Sequence, residues 1–295
     1  LGFGIGATLG LLILLFRGAI PESPRWLLTH GREAEAERIM ADIERDAVRA
    51  TGRPLAPPEG PPLTLHPRRV FGLGFVARVM FQHYRARSVL CVALMMSQAF
   101  LYNAIFFTYA LVLTRFYGVA AGDIGLYLLP FALSNFLGPV VLGHWFDTIG
   151  RRPMIALTYG TSAVLLAVTG FLFAEGLVTA VGQTALWCAI FFFASAAASS
   201  AYLTASEVFP LEIRALAIAI FFAIGTGTGG VVAPWLFGTL IGTGSREAVF
   251  YGYLAGVVLM LAAVAAVLAF GVRAERKSLE EVAPPLTAGP PGGLV

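Results

Sequence analysis

Six apolar stretches follow one another from residue 88 onward, and the charged positions fall between them rather than inside them. Crossing a bilayer takes roughly 20 mostly apolar residues, because in lipid only a helix satisfies its own backbone hydrogen bonds. The pattern predicts spans over Ser88–Phe116, Gly125–Phe146, Met154–Ala174, Thr184–Ala205, Ala215–Ile241 and Val249–Phe270. A further apolar stretch, Leu1–Phe16, reads as a truncated membrane helix. It has neither the basic leader nor the small-residue cleavage site before Arg17 that a signal peptide would show.

The polar intervals give the orientation. Twelve arginines, from Arg17 to Arg87, lie between the first and second apolar stretches. Arg151 and Arg152 lie two loops later, Arg214 two loops after that, and Arg273, Arg276 and Lys277 in the tail, while the alternate loops hold Arg115 and Arg246. Positively charged loops stay cytoplasmic. The expected organisation is a truncated transmembrane helix (1–16), a cytoplasmic helical insert with a proline-rich linker (17–87), a six-helix transmembrane bundle (88–270) and a cytoplasmic tail (271–295). The expected location is the plasma (cytoplasmic or inner) membrane, crossed several times, with the C-terminus cytoplasmic.

Within the insert, Ser23 and Pro24 suit a helix start, and the alternating glutamates and alanines from Glu33 favour a solvated helix. The prolines between Gly52 and Pro67 predict an extended linker, and Val70–Arg87 suits an interfacial helix approaching the next span. The tail predicts a short helix over Arg273–Glu281, then disorder over Pro284–Gly293.

Composition agrees with the pattern. At 58% hydrophobic and 13% charged, the chain departs from a soluble domain, with about 45–50% and 25%, in the direction of a membrane protein. The net charge of +3 is explained by cytoplasmic arginines and does not imply nucleic acid. Cys91 and Cys188 fall in predicted spans, without the histidines or further cysteines that a metal site or a disulfide framework needs. No cofactor is implied.

Three short motifs sit at cytoplasmic helix ends. They are Pro21-Glu22-Ser23-Pro24-Arg25-Trp26-Leu27, then Gly143-His144-Trp145-Phe146-Asp147-Thr148-Ile149-Gly150-Arg151-Arg152, then Glu207-Val208-Phe209-Pro210-Leu211-Glu212-Ile213-Arg214. In this order the chain resembles the sugar-porter branch of the major facilitator superfamily, and Ser278-Leu279-Glu280-Glu281-Val282 is similar to that family's C-terminal signature. The resemblance maps the chain onto the family's sixth to twelfth helices. It implies an all-α membrane fold, a truncated sixth helix plus the C-terminal six-helix bundle, with an N-terminal helical bundle missing.

The charged motifs admit two readings. Glu22, Arg25, Asp147, Arg151, Arg152, Glu207 and Arg214 either cap helices, as surface pairs of about 0–1 kcal/mol, or form the cytoplasmic gate that the resemblance implies. Such a gate closes in the outward-facing state and breaks on opening.

A solute site must come from polar residues within the spans. Candidates are Gln98, Tyr102, Asn103 and Tyr109, with Ser199 and Tyr202 in a later span; Asn135 lies in a third. Helical periodicity puts Gln98, Tyr102 and Tyr109 on one face. Amides are costly in lipid without a partner, and Gln98 and Asn103 keep the spacing of the seventh-helix pattern of sugar porters. Ser97 and Leu101 depart from that pattern. Ser199-Ser200-Ala201-Tyr202 stands where sugar porters carry a Pro-x-Pro-Trp segment. The pattern is closer to relatives carrying organic anions, organic cations or aromatic acids.

No Asp or Glu lies in mid-span, where a proton carrier would sit. Protons are therefore an open partner beside the solute and the lipid bilayer. Gly225-Thr226-Gly227-Thr228-Gly229-Gly230 matches a dinucleotide-binding expression, but that motif follows a strand in a soluble unit, and here it interrupts an apolar stretch. Gly225 and Gly229 instead give a small face for helix packing, and with Pro234 they mark either a packing contact and hinge or a lining of the solute path.

A membrane-embedded enzyme would need paired acids or histidines at membrane depth, and the spans hold none. The expected function is transport of a small organic solute (a metabolite, sugar or organic ion) by alternating access. The alternatives are a receptor or sensor on a transporter scaffold, or an inactive truncated fragment.

Overall fold

A computed structural model describes residues 2–17, 20–55, 72–275 and 277–286. The proline-rich stretch from residue 56 to 67 and the tail beyond residue 286 lie outside the described residues. The chain divides into two compact units, one drawn from residues up to 72 and from 284 onward, the other spanning Leu73–Ala283.

The first unit holds α1 (Gly2–Arg17), α2 (Pro24–Thr29) and α3 (Glu33–Thr51). Pro24 opens α2, where its missing N–H costs nothing. α2 and α3 pack together, with Leu27 and Ala36 buried. α3 ends on Gly52, whose left-handed backbone closes the helix.

The second unit is a helical bundle, and no strand occurs among the described residues. α4 (Leu73–Arg78) and a π turn (Val79–His83) lead into α5 (Arg85–Phe106), followed by α6 (Tyr109–Tyr117), α7 (Ile124–Thr148), α8 (Arg151–Ala174) and α9 (Ala180–Glu207). Then come α10 (Leu211–Gly225), a second π turn (Thr226–Gly230), α11 (Val231–Gly242), α12 (Arg246–Phe270) and α13 (Leu279–Val282). Six segments are long and apolar enough to cross a membrane: α5, α7, α8, α9, α12, and α10 to α11 taken through its π turn.

Lipid offers no hydrophobic drive between helices, so close backbone approach must hold the bundle together. Small residues supply it. A Cβ on Gly138 of α7 would run into the Phe192 carbonyl of α9, and one on Gly256 of α12 would come within 2.9 Å of Leu166 of α8. Ser134 Oγ donates to the Cys188 carbonyl at 2.5 Å, and the buried Tyr159 hydroxyl donates to the Leu94 carbonyl at 3.0 Å.

The stretch expected as one span over Ser88–Phe116 is two helices, broken at Phe107 and Thr108. The Thr108 hydroxyl donates back to the Ala104 carbonyl. Such back-bonding offers the chain an alternative to the helical ladder and bends it. The span expected over Ala215–Ile241 runs from Leu211 to Gly242 and passes the glycine run as a π turn.

Candidate functional site

α5 carries most of the site. Gln98, Tyr102 and Asn103 lie along one side of it, and they line a cavity of about 350 Å³. Asn135 of α7, Tyr202 of α9 and Thr226 of the second π turn close the polar part. Phe106, Phe107, Phe191 and Phe222 supply the apolar part. Among the described residues no Asp, Glu, Lys, Arg or His lines it.

The polar groups differ in how they are held. Tyr102 donates to Asn135 Oδ1 at 2.8 Å, which fixes that amide across two helices. Asn103 Nδ2 donates to the Ala99 carbonyl of its own helix at 2.6 Å. Gln98 is only 8% exposed, lies beside the Tyr202 hydroxyl, and lines the cavity. Burying an amide in an apolar bundle costs free energy unless a partner arrives.

Two expected site residues stand elsewhere. The break after Phe106 carries Tyr109 out of the helical register shared by Gln98 and Tyr102, and its ring instead stacks on Phe131 at 6.2 Å and 9°. Ser199 lines a second cavity, of about 310 Å³, between α7 and α9, and donates to the Ser195 carbonyl at 3.0 Å. The sequence reading passed over Phe191, Phe222 and Thr226. Nothing in an apolar run marks which phenylalanine faces a cavity; Thr226, beside the glycines, carried the one usable signal.

The glycine run flanks Thr226, which lines the first cavity. A Cβ on Gly225 would come within 2.8 Å of the Met95 carbonyl, and one on Gly229 would meet the Phe100 backbone N–H. Both glycines thus let the π turn lie directly on α5. Pro234 stands in the first turn of α11, just past that turn.

At the end of the bundle near Asp147, Arg151 binds two acids. Its guanidinium lies 3.1 Å from Asp147 Oδ1 and 2.9 Å from Glu207 Oε1. Arg151 and Glu207 are 14% and 13% exposed and Asp147 is 64% exposed, so one pair is partly buried and the other wet. The second cavity adjoins Asp147 and Arg151.

Other arginines at this end serve carbonyls. Arg152 donates to the Leu268 carbonyl, capping the last turn of α12. Arg214 donates to the Phe209 carbonyl at 3.3 Å, and Arg87 to the Val208 carbonyl at 2.7 Å. The sequence placed Arg87 only among the arginines before the span expected from Ser88, with no sign of this partner. Its guanidinium lies 4.9 Å from the Tyr84 ring centre. Burial pushes the Tyr84 phenol above its ordinary value, against the pull of Arg87. Glu22 and Arg25 belong to the first unit, at the entry to α2 and in its first turn.

Comparison with known proteins places this geometry. The model of the family described as "Sugar (and other) transporter" matches residues 1–285. The Escherichia coli (strain K12) protein named "Putative metabolite transport protein YaaU" is 28% identical over 233 residues, 79% of this chain and 48% of that protein. A second protein of that strain with the same description, YdjK, is 26% identical over 260 residues, 85% of this chain and 51% of its own length. Plastidic glucose transporter 4 of Arabidopsis thaliana is 25% identical over 303 residues, 97% of this chain and 51% of that protein. The chain spans about half the length of the curated relatives it matches. It belongs to the sugar (and other) transporter family, the sugar-porter branch of the major facilitator superfamily.

Proposed function

We propose that this chain supplies half of a membrane transporter that carries an uncharged small organic solute, a sugar or similar metabolite, by alternating access. The observation that carries this reading is the cavity at Gln98. Amide and hydroxyl groups from α5, α7 and α9 converge there, and among the described residues no Asp, Glu, Lys, Arg or His lines it. Such groups bond hydroxyls of either donor or acceptor character, whereas a charged solute would enter with nothing to neutralise it. Transporter names on the relatives support the class, and one of them is named for glucose.

In this reading Gln98 and Asn103 bond the solute, Tyr102 presents Asn135 to it, and Tyr202 and the phenylalanines pack on its ring. Asp147, Arg151 and Glu207 form the core of a cytoplasmic gate, with Arg152 and Arg214 at its margins. Gly225, Gly229 and Pro234 form the hinge of the α10–α11 segment. Ser199 stands on the path from cavity to gate, and Tyr109 acts only by packing. The companion partner is an N-terminal helical bundle, the site faces the bilayer midplane, and the tail is cytoplasmic.

The test is uptake by the full-length protein in proteoliposomes, with glucose, a quaternary ammonium ion and an aromatic acid compared. Saturable uptake of the uncharged solute, weakened by Gln98→Ala, is the expected result. Preferred uptake of a charged solute, unaffected by Gln98→Ala, would refute it.

A further inference from the structure

Arg246 is one of two arginines in the loops where positive charge is least expected, and it is the first residue of α12. A cation there opposes the positive end of the helix dipole. The structure shows what offsets this. Arg246 Nη1 donates to the Phe173 carbonyl at 3.1 Å, in the last turn of α8. Arg246 Nη2 donates to the Phe116 carbonyl at 3.0 Å, in the last turn of α6. Three helix ends therefore meet on one guanidinium, two of them with the negative pole that favours it.

Rings enclose the same group. The guanidinium carbon lies 4.8 Å from the ring centre of Phe173, 5.0 Å from Tyr117 and 5.5 Å from Phe116. The Tyr117 hydroxyl donates in turn to Oε1 of the buried Gln183 at 3.3 Å. The second arginine is nearby: Arg115 lies 3.6 Å from the space a Cβ on Gly244 would fill.

α6 needs such anchoring. It has nine residues, too few for a stable isolated helix. Its other end is the break at Phe107 and Thr108, and Phe106 and Phe107 line the cavity. Whatever holds α6 therefore also sets the position of those two rings.

We propose that Arg246 is a positioning residue for the cavity: it latches α6 to the ends of α8 and α12, and through the break it sets where Phe106 and Phe107 stand. The latch rests on the cavity reading only in its effect on the solute. Lysine would not replace arginine fully, because a single ammonium cannot span two carbonyls with the flat fork that also lies between rings.

The test uses the full-length protein in proteoliposomes, with Cys91→Ala and Cys188→Ala as background and Phe107→Cys as reporter. A membrane-impermeant maleimide is applied to each side separately. Arg246→Ala is expected to raise the labelling rate from the Arg246 side roughly five- to tenfold, with Arg246→Lys in between. A Thr148→Cys reporter at the opposite end is expected to label as in the parent, and the solute KM is expected to rise more than kcat falls. Parent-like labelling of Phe107→Cys overturns the latch, and so does an equal rise at Thr148→Cys. If Arg246→Ala fails to fold, Arg246→Lys decides by the same two rates. A parent that binds no uncharged solute overturns the cavity reading alone, since the labelling rates do not depend on solute.

Discussion

Each end of the bundle is tied by an arginine, and the two are satisfied differently. Arg151 faces carboxylates, Asp147 and Glu207. Arg246 faces backbone carbonyls and aromatic rings. A buried ion pair is held by charges that water would solvate almost as well, so its net worth is small once water enters. Carbonyls at helix ends and ring faces gain less from hydration, and rings enclose the cation besides. The first arrangement suits a contact that is made and broken as water comes and goes. The second suits a fastening that persists while neighbours move. In the proposed readings the same side chain thus serves as a gate at one end and a latch at the other, by choice of partners.

The largest effect is expected at Arg151. Arg151→Gln leaves the partly buried Glu207, 13% exposed, without its counter-charge; breaking a fully buried pair costs about 3–5 kcal/mol, and the loss here should fall toward the lower end of that range. Thermal unfolding in detergent should show the loss. Cysteine probes near Asp147 should also become more accessible, because this end of the bundle loses its main tie. An unchanged melting curve together with unchanged accessibility would remove the gate reading.

Arg246→Ala should come next. Hydrogen bonds from a charged donor are each worth about 1.5–3 kcal/mol, and the freed carbonyls at helix ends can turn to water. A net loss of about 1.5–3 kcal/mol is expected, with little dependence on salt, since no counter-charge is involved. A strong salt dependence would mean that Arg246 works through an acid after all, and the contrast between the two ends would fall.

How far was this legible beforehand? The apolar stretches gave the helices because lipid imposes one solution on any long apolar segment. Gln98, Tyr102, Asn103 and Tyr202 were readable as site candidates because polar groups in such segments are rare and costly. Tyr109 does not line the cavity with Gln98 and Tyr102: periodicity assumes an unbroken helix, and nothing in Phe106-Phe107-Thr108 announces a break as a proline would. The opposite fates of Arg151 and Arg246 were not legible at all. Charge count and loop position fix which side an arginine is on; its partner lies 56 residues away for Glu207 and 73 or 130 for the carbonyls of Phe173 and Phe116.

Any motion of one end against the other must pass the level of the cavity, where the glycine run lies. A Cβ on Gly229 would meet the Phe100 backbone N–H, whereas one on Gly227 meets nothing within 4 Å. Gly229→Ala should therefore push the π turn off α5 at a cost of about 1–3 kcal/mol, as overpacking does. Gly227→Ala should be neutral, or stabilising by up to about 1 kcal/mol if the turn tolerates a regular helix. If Gly227→Ala stabilises the protein yet slows uptake, the π turn is the hinge. If uptake is unchanged, the glycines serve packing alone, and the two ends move by another route.

The smallest effect is expected at Asp147, and it sharpens the comparison most closely, because Asp147 and Glu207 share one guanidinium. Asp147 is 64% exposed, so its pair with Arg151 at 3.1 Å is a wet one. Exposed pairs contribute about 0–1 kcal/mol and weaken with salt. Asp147→Asn should thus lower stability by less than about 1 kcal/mol, and the difference should vanish at high ionic strength. Measured in the Glu207→Gln background, the same substitution should cost more, since Arg151 would then lose its last carboxylate while remaining partly buried. That non-additivity separates two independent surface contacts from one shared charge. Equal costs in both backgrounds would show that Arg151 does not couple the α7–α8 turn to α9, and the gate would reduce to the single pair with Glu207.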